Sequence, residues 1–548
     1  MTCRVLFIYP NQRTESLVPP SLAVFSSLLK AEGHQVGLFD TSNYDLDADE
    51  YINFSSAIKK NDEVNFGLMR PYESNSHSFI KHTSASNALI NKMELFKPDL
   101  VAVTSTESTF NLAVQLLRAI KKYNVPTILG GVFATFAPGV AIKSDVIDMV
   151  CVGEGENAIV DLADKISRGE NYYNVTNLWV KKKNGEIVKN GIINAVNVDN
   201  LPIPDLSIFD DDRLYRPMYG KMYRMMPMET HRGCPYTCSF CNSPSQNTLY
   251  DEATSSKFFR KTRIEKMYQD LLYLRDEMKV QYIYFWADTF FAWSNKEFDA
   301  FCEMYKEFKL PFWCQTRVET VTHEKISKLK EIGLHMIAFG MEHGNEKFRA
   351  DVVTRKYSND AAVKALQIPH QCDVPFTVNN IIGFPDETRK LAFDTIELNR
   401  QWEADQMSCS ILQPYYGTTL RNICVSKGYL HPDTICPANS DDTLMNMPSF
   451  TAKEMKGLRR TFAMYVRYPK SRWKDIEKAE QLTPEGDRIW EELKQEYHDK
   501  YLPKINSQMK LSDAYDDNSV PLQSDVNASS DINTNASGGM GPSTGEII

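Results

Sequence analysis

The stretch His231-Arg-Gly-Cys234-Pro-Tyr-Thr-Cys238-Ser-Phe-Cys241-Asn242 decides how this chain of 548 residues is read. Three of the eleven cysteines fall within eight residues here, spaced C-x3-C-x2-C. The other eight (Cys3, Cys151, Cys302, Cys314, Cys372, Cys409, Cys424, Cys436) stand singly in patterned segments, where cysteines of a reducing compartment serve as small core residues. Three thiolates on one short loop suit three irons of a four-iron cluster. A tetrahedral zinc site needs four ligands, and no further Cys or His follows at finger spacing. An iron left without a protein ligand stays open to a substrate or cofactor.

Downstream of this loop, apolar strands alternate with helical segments. Strands are expected at 228–231, 282–286, 312–316, 335–340, 376–382 and 407–412. Six such units make a partial (βα)6 barrel of TIM type, with its chemistry at the C-terminal ends of the strands. The cysteines lie in the loop after the first of them. Upstream, continuous apolar runs at 4–9, 35–39, 99–104, 127–129 and 148–152 alternate with amphipathic segments. That pattern predicts a doubly wound, Rossmann-like parallel sheet covered on both faces, with its ligand at the strands' carboxyl ends. The polar stretch 41–86 interrupts the pattern as an insertion.

The chain thus reads as α/β: an N-terminal doubly wound domain at 1–166, a connector with a small hairpin at 167–226, the barrel at 227–429, a helical C-terminal region at 430–506 and a disordered tail at 507–548. The 62 Lys+Arg against 71 Asp+Glu leave a net charge of −9. The tail alone supplies −5 of it, and no basic surface for nucleic acid is indicated. No apolar run approaches the ~20 residues that span a bilayer. MTCRVLFIYP lacks the basic segment, apolar core and cleavage site of a signal peptide. A cytoplasmic location is therefore expected.

The three-cysteine loop and its place in the barrel resemble the radical SAM superfamily. The resemblance implies a 4Fe-4S cluster on Cys234, Cys238 and Cys241. Its unique iron would chelate S-adenosylmethionine, whose reductive cleavage gives a 5′-deoxyadenosyl radical. Phe240 matches the aromatic placed beside the adenine. Arg317 and Glu342 match positions that hold the methionine moiety or ribose, chemistry suited to a guanidinium and a carboxylate. Asn380-Ile-Ile-Gly383-Phe-Pro385-Asp-Glu387-Thr388 resembles the strand-five turn that approaches the adenine through backbone, and Gln413-Pro-Tyr-Tyr-Gly417-Thr418 the strand-six turn. The usual Gly-Gly-Glu motif after strand two is replaced by Trp286-Ala-Asp288-Thr-Phe290. Cobalamin-dependent members often carry an Asp-rich turn there, which places Asp288 near the cofactor amino group.

Gly130-Gly131 and the hydroxyls Thr104, Ser105 and Thr106 resemble the cobalamin-binding domains fused to such barrels, where glycine lets backbone lie against the nucleotide tail. Gly153-Glu-Gly-Glu156 is no phosphate loop, because its two carboxylates would repel phosphate. The D-x-H-x-x-G motif that carries a cobalt-coordinating histidine is absent, so cobalamin without a histidine ligand is expected. His34, at a helix end, is expected at the surface.

The leading function implied is methylation of an unactivated carbon through the 5′-deoxyadenosyl radical and methylcobalamin, with an external electron donor such as flavodoxin or ferredoxin and a small-molecule or natural-product substrate. A cyclisation or rearrangement without methyl transfer uses the same domain pair. A non-catalytic cobalamin and iron–sulfur binding protein is the third reading. Methylthiotransferases usually carry an additional N-terminal cysteine trio, and Cys3 and Cys151 alone cannot replace it.

Overall fold

A computed structural model describes residues 2–11, 17–44, 46, 68, 81, 83–439 and 442–501. The tail at 507–548 and most of the stretch 41–86 lie outside the described residues.

The first sheet contains β1 Arg4–Tyr9, β2 Gln35–Asp40, β3 Leu100–Thr104, β4 Thr127–Gly130, β5 Met149–Cys151, β6 Leu178–Lys181 and β7 Ile187–Lys189. Their spatial order is β2-β1-β3-β4-β5-β6-β7. Pairing is parallel from β2 through β5, and the hairpin β6–β7 adds to the edge antiparallel. Alternate residues of β1 enter two cores, as the period of two requires. Val5 and Phe7 pack with Leu22 and Leu29 of the helix Pro20–Ala31 and with Leu162 of Glu156–Arg168. Leu6 and Ile8 pack on the other face with Leu89 of Ala85–Phe96 and Leu116 of Phe110–Ile120. Strand order reverses between β1 and β3, and in an open α/β sheet the ligand crevice lies at such a switch point.

The second large sheet holds β8 Tyr215–Met218, β9 Lys221–Glu229, β12 Tyr282–Trp286, β13 Phe312–Arg317, β14 Leu334–Glu342, β15 Phe376–Ile382 and β16 Gln406–Ile411, in the order β16-β15-β14-β13-β12-β9-β8. The six strands from β9 to β16 are parallel, and β8 closes the far edge as an antiparallel hairpin. Between β9 and β12, the short strands β10 His231–Arg232 and β11 Arg260–Lys261 pair with each other.

Two expectations are corrected. The first barrel strand runs over Lys221–Glu229 rather than 228–231, and its turn is Tyr219 (φ 54°) and Gly220 (φ 85°). Both residues take positive φ, as a tight hairpin turn demands, but Tyr-Gly lacks the signature of Asn-Gly. Tyr223 and Met225 consequently pack inside the barrel with Tyr282, Trp313 and Met336. His34 is buried, not at the surface: its Nδ1 accepts the Cys3 N–H at 3.2 Å, and its Nε2 lies 3.3 Å from Asp164.

The helical C-terminal region is Ala452–Arg467, Trp473–Ala479 and Pro484–Tyr501. Met455, Leu458 and Phe462 of its first helix cover Ile382, Met407 and Ile411 at the edge of the barrel sheet. No helix among the described residues is long and apolar enough to cross a membrane.

Candidate active site

The cysteine loop leaves β10 through Gly233, at φ 82°, where a Cβ would meet the Phe258 ring at 2.7 Å. All three cysteines are buried. Burial raises the thiols of Cys234 and Cys241, the latter to about 12, and nearby Asp288 adds to both. The sulfurs are not left in apolar surroundings. Cys238 Sγ accepts from Arg317 Nη1 at 3.1 Å and from Arg355 Nε at 3.3 Å, while Cys241 Sγ accepts the Ser243 N–H at 3.4 Å. No three His, Cys, Asp or Glu side chains among the described residues converge on a single metal ion.

The predicted barrel residues gather around this loop. Arg317 ends β13 and lies over the Tyr236 ring at 4.0 Å, with its Nε donating to Glu319 at 2.7 Å. Asp288 follows β12, accepts from Ser243 Oγ at 2.6 Å, and has its carboxyl pushed up to about 6, chiefly by burial. Glu342 ends β14 at φ 67°, next to a register shift against β15 between Gly340 and Glu342. Its carboxylate lies 3.1 Å from Arg355; burial raises its pKa, and the charges of Arg355 and Arg317 oppose the rise. A Cβ on Gly340 would stand 2.5 Å from the Glu342 carboxylate and 3.0 Å from the Arg355 guanidinium, so a side chain there would push this pair aside. Phe240 meets Phe384 edge to face at 6.4 Å. Gly383, at φ 85°, begins the turn to Pro385, and Glu387 holds that turn by accepting the N–H groups of Gly383 (2.6 Å) and Phe384 (2.9 Å).

Sequence reasoning missed Arg355, and it quoted Glu387 within the strand-five turn without giving it a role. Arg355 sits in a loop without a motif, and its partners lie in the cysteine loop and β14. The buried pairing of Glu387 with His343 at 3.2 Å has no local signature.

On the first sheet, the ends of β1 and β3 flank the switch point and open into a cleft of about 1460 Å³, open solvent at its mouth included. Tyr9, Asn11, Thr104, Ser105 and Thr106 line one wall, and Met226, Glu229 and Trp286 of the barrel face them. Ser105 Oγ is buried without a hydrogen-bond partner. Thr106 Oγ1 shares a hydrogen bond with Ser108 at 2.8 Å. Gly131, at φ 98°, is demanded by the protein itself, because a Cβ would meet the Ser105 carbonyl at 2.5 Å. At Gly130 a Cβ would find its nearest atom at 3.9 Å, so that backbone presents an open face. The orphaned Ser105 hydroxyl fits a ligand at the switch point, and the paired guanidiniums on Cys238 fit an anionic cluster.

Two buried charge clusters bind the halves together. Arg232 of the cysteine loop pairs with Glu154 (2.8 Å), Glu156 (2.6 Å) and Glu229 (3.0 Å), and Arg260 also pairs with Glu154. The carboxylates of the 153–156 turn thus serve domain contact. Glu107, just after the hydroxyl loop, accepts the N–H groups of Tyr416 and Cys436 at 2.7 Å each and lies 3.4 Å from Arg421. Tyr416 also meets Phe133 edge to face at 5.7 Å.

Residues 228–398 match the family model of the radical SAM superfamily, and residues 74–163 that of the B12 binding domain. The chain thus carries a radical SAM domain and a B12-binding domain. It is 27% identical over 387 residues to an uncharacterized methyltransferase of Pyrococcus horikoshii, covering 70% of this chain and 81% of that one. It is 25% identical over 338 residues to the anaerobic magnesium-protoporphyrin IX monomethyl ester cyclase of Rubrivivax gelatinosus, covering 59% and 58%. Its fold resembles that of the cobalamin-dependent S-adenosylmethionine radical enzyme OxsB, solved with aqua-cobalamin and S-adenosylmethionine bound, at a TM-score of 0.60 and 14% identity over 90% of this chain and 71% of that one.

Proposed function

We propose that the chain is a cobalamin-dependent radical SAM enzyme that methylates an unactivated carbon of a small molecule, a natural product included. The observation that carries the reading is the cleft itself, with the hydroxyl loop and switch point on one wall and strands of the cysteine-bearing barrel on the other. The relative from Pyrococcus horikoshii that is named as an uncharacterized methyltransferase, matched over 81% of its length, also supports it.

In this reading Cys234, Cys238 and Cys241 hold the cluster, Arg317 faces the S-adenosylmethionine carboxylate, Asp288 its amino group and Glu342 its ribose. Phe240 and the Gly383–Pro385 turn flank the adenine. Thr104, Ser105, Thr106, Gly130 and Gly131 line the place of the cobalamin tail. When bound, the cluster supplies an electron for cleavage of S-adenosylmethionine, and cobalamin supplies a methyl carrier. The chain's own residues orient and exclude: Glu387 fixes the adenine turn through two backbone N–H groups, and the Glu107 and Arg232 clusters hold the two walls in register. Prolines 10, 19, 20, 202, 204 and 227 give the cleft a stiff apolar lining that keeps water from a radical. A small low-potential donor of the flavodoxin or ferredoxin class in the cytoplasm supplies the electron.

The cyclase relative favours one second reading, a cobalamin-dependent cyclisation or rearrangement without methyl transfer. Anaerobic reconstitution with hydroxocobalamin, iron and sulfide, then incubation with reductant and S-adenosylmethionine, separates them. Methyl transfer yields both 5′-deoxyadenosine and S-adenosylhomocysteine. Deoxyadenosine alone favours cyclisation, and neither product from protein with a verified cluster favours a binding role.

A further inference from the structure

We propose that Arg355 is a positioning residue that ties the sulfur of Cys238 to the carboxylate of Glu342, so that occupancy of the S-adenosylmethionine site shifts the reduction potential of the cluster. The inference rests on the cluster and cofactor assignments proposed above and adds a coupling between them.

One guanidinium makes three directed contacts: Nε donates to Cys238 Sγ at 3.3 Å, Nη1 to the Gly340 carbonyl at 2.5 Å, and Nη2 lies 3.1 Å from Glu342 Oε1. The group is planar and only 3% exposed, so Nε cannot reorient independently of Nη2. Both partners are fixed from outside. The bulge at Gly340 and the positive φ of Glu342 turn that carboxylate inward, and the missing Cβ of Gly340 makes room for it. Cys238 also receives Arg317, whereas Cys241 receives a neutral backbone N–H. Positive charge is therefore concentrated at one corner of the loop.

Hydrogen bonds and positive charge at a ligating sulfur favour the more negative, reduced cluster. In the empty site Glu342 neutralises part of the Arg355 charge. When ribose hydroxyls donate to Glu342, the carboxylate's hold on Nη2 loosens and more of the guanidinium charge acts on Cys238. One-electron reduction by an external low-potential donor then becomes easier once the cofactor to be cleaved is in place.

The test is an EPR-monitored potentiometric titration of the full-length, anaerobically reconstituted protein, with and without S-adenosylmethionine. Arg355→Gln is expected to disfavour reduction roughly tenfold, about 59 mV for one electron, and to shrink the upward shift that S-adenosylmethionine causes in the wild type. Arg355→Lys keeps the charge but not the fork; it should recover the potential in part and leave the shift small. Because Arg355→Gln strands a buried carboxylate, the double variant Glu342→Gln/Arg355→Gln, which removes both charges together, serves as a second test: its potential should fall less than that of Arg355→Gln, and its shift with S-adenosylmethionine should stay small. Either Gln variant that keeps a full cluster, the wild-type potential and the full shift would overturn the proposal. A wild-type chain that binds no cluster would instead overturn the functional reading beneath it.

Discussion

The barrel mouth around the cysteine loop and the hydroxyl-lined wall of the cleft beside the first sheet offer a ligand different chemistry. At the barrel mouth, Asp288, Arg317, Glu342 and Arg355 hold their charges in the interior, with guanidiniums on a cysteine sulfur and carboxyl groups pushed up by burial. On the cleft wall, Thr104, Ser105 and Thr106 are uncharged, and the Glu107 carboxylate just after them is turned to the barrel. Buried charge is expensive unless paired, so charges kept at the mouth prepare for a charged partner. Neutral hydroxyls and bare backbone suit a large ligand recognised by shape. The most severe way to break the charged wall is at the sulfurs. Cys234→Ala should lose the iron–sulfur absorbance after anaerobic reconstitution, and a full 4Fe-4S spectrum in that variant would contradict the ligand set.

Much of this was legible in the sequence because it is local. The cysteine spacing, the strand runs and the pairing of Arg317 and Glu342 with strand ends all sit inside short windows. What escaped is set by contacts between distant residues. Arg355 meets Cys238 across 117 positions, and Glu107 meets Cys436 across 329, with nothing in either window to announce it. The start of β9 was missed because Tyr219 takes the left-handed turn position that Asn or Gly usually fills. Gly131 was singled out for contact with a ligand, yet its need for glycine comes from the Ser105 carbonyl.

Glu107 is where the two walls touch, and its loss should cost stability more than binding. Glu107→Ala leaves two buried backbone N–H groups without an acceptor and takes the counter-charge from Arg421, which keeps the carbonyls of Pro414, Pro432 and Thr434, a defect worth about 3–5 kcal/mol. Glu107→Gln retains an acceptor and should lose less. Denaturant unfolding of both variants checks this, and equal stability of wild type and Glu107→Ala would mean that the junction is open in solution.

Asp288 sharpens the charged wall with an effect of opposite sign on stability and binding. Its carboxyl titrates at about 6, above the ordinary 3.8, so the folded state pays to keep it ionised. That penalty is full above pH 6 and fades as the pH falls towards 4, where the carboxyl is protonated in the fold as well. Asp288→Asn should therefore stabilise the protein by up to about 3 kcal/mol at pH 7.5, and the gain should shrink between pH 6 and 4. The same variant should retain S-adenosylmethionine less well at pH 7.5, as the wild type should below pH 6. Unfolding curves and equilibrium dialysis across this range read both effects.

The smallest effect belongs to the neutral wall. Ser105 Oγ is buried and lacks a partner, an arrangement that costs about 1–3 kcal/mol unless a ligand completes it. Ser105→Ala should consequently leave the empty protein as stable as the wild type or slightly more stable, since an unsatisfied hydroxyl is removed. It should weaken cobalamin binding by up to roughly tenfold, the equivalent of about 1.4 kcal/mol and of one neutral hydrogen bond. The two readouts move in opposite directions only if the hydroxyl is kept for the ligand. Unchanged affinity with raised stability would leave Ser105 a packing defect and shift the tail's recognition to the open backbone at Gly130, where Gly130→Ala becomes the decisive variant.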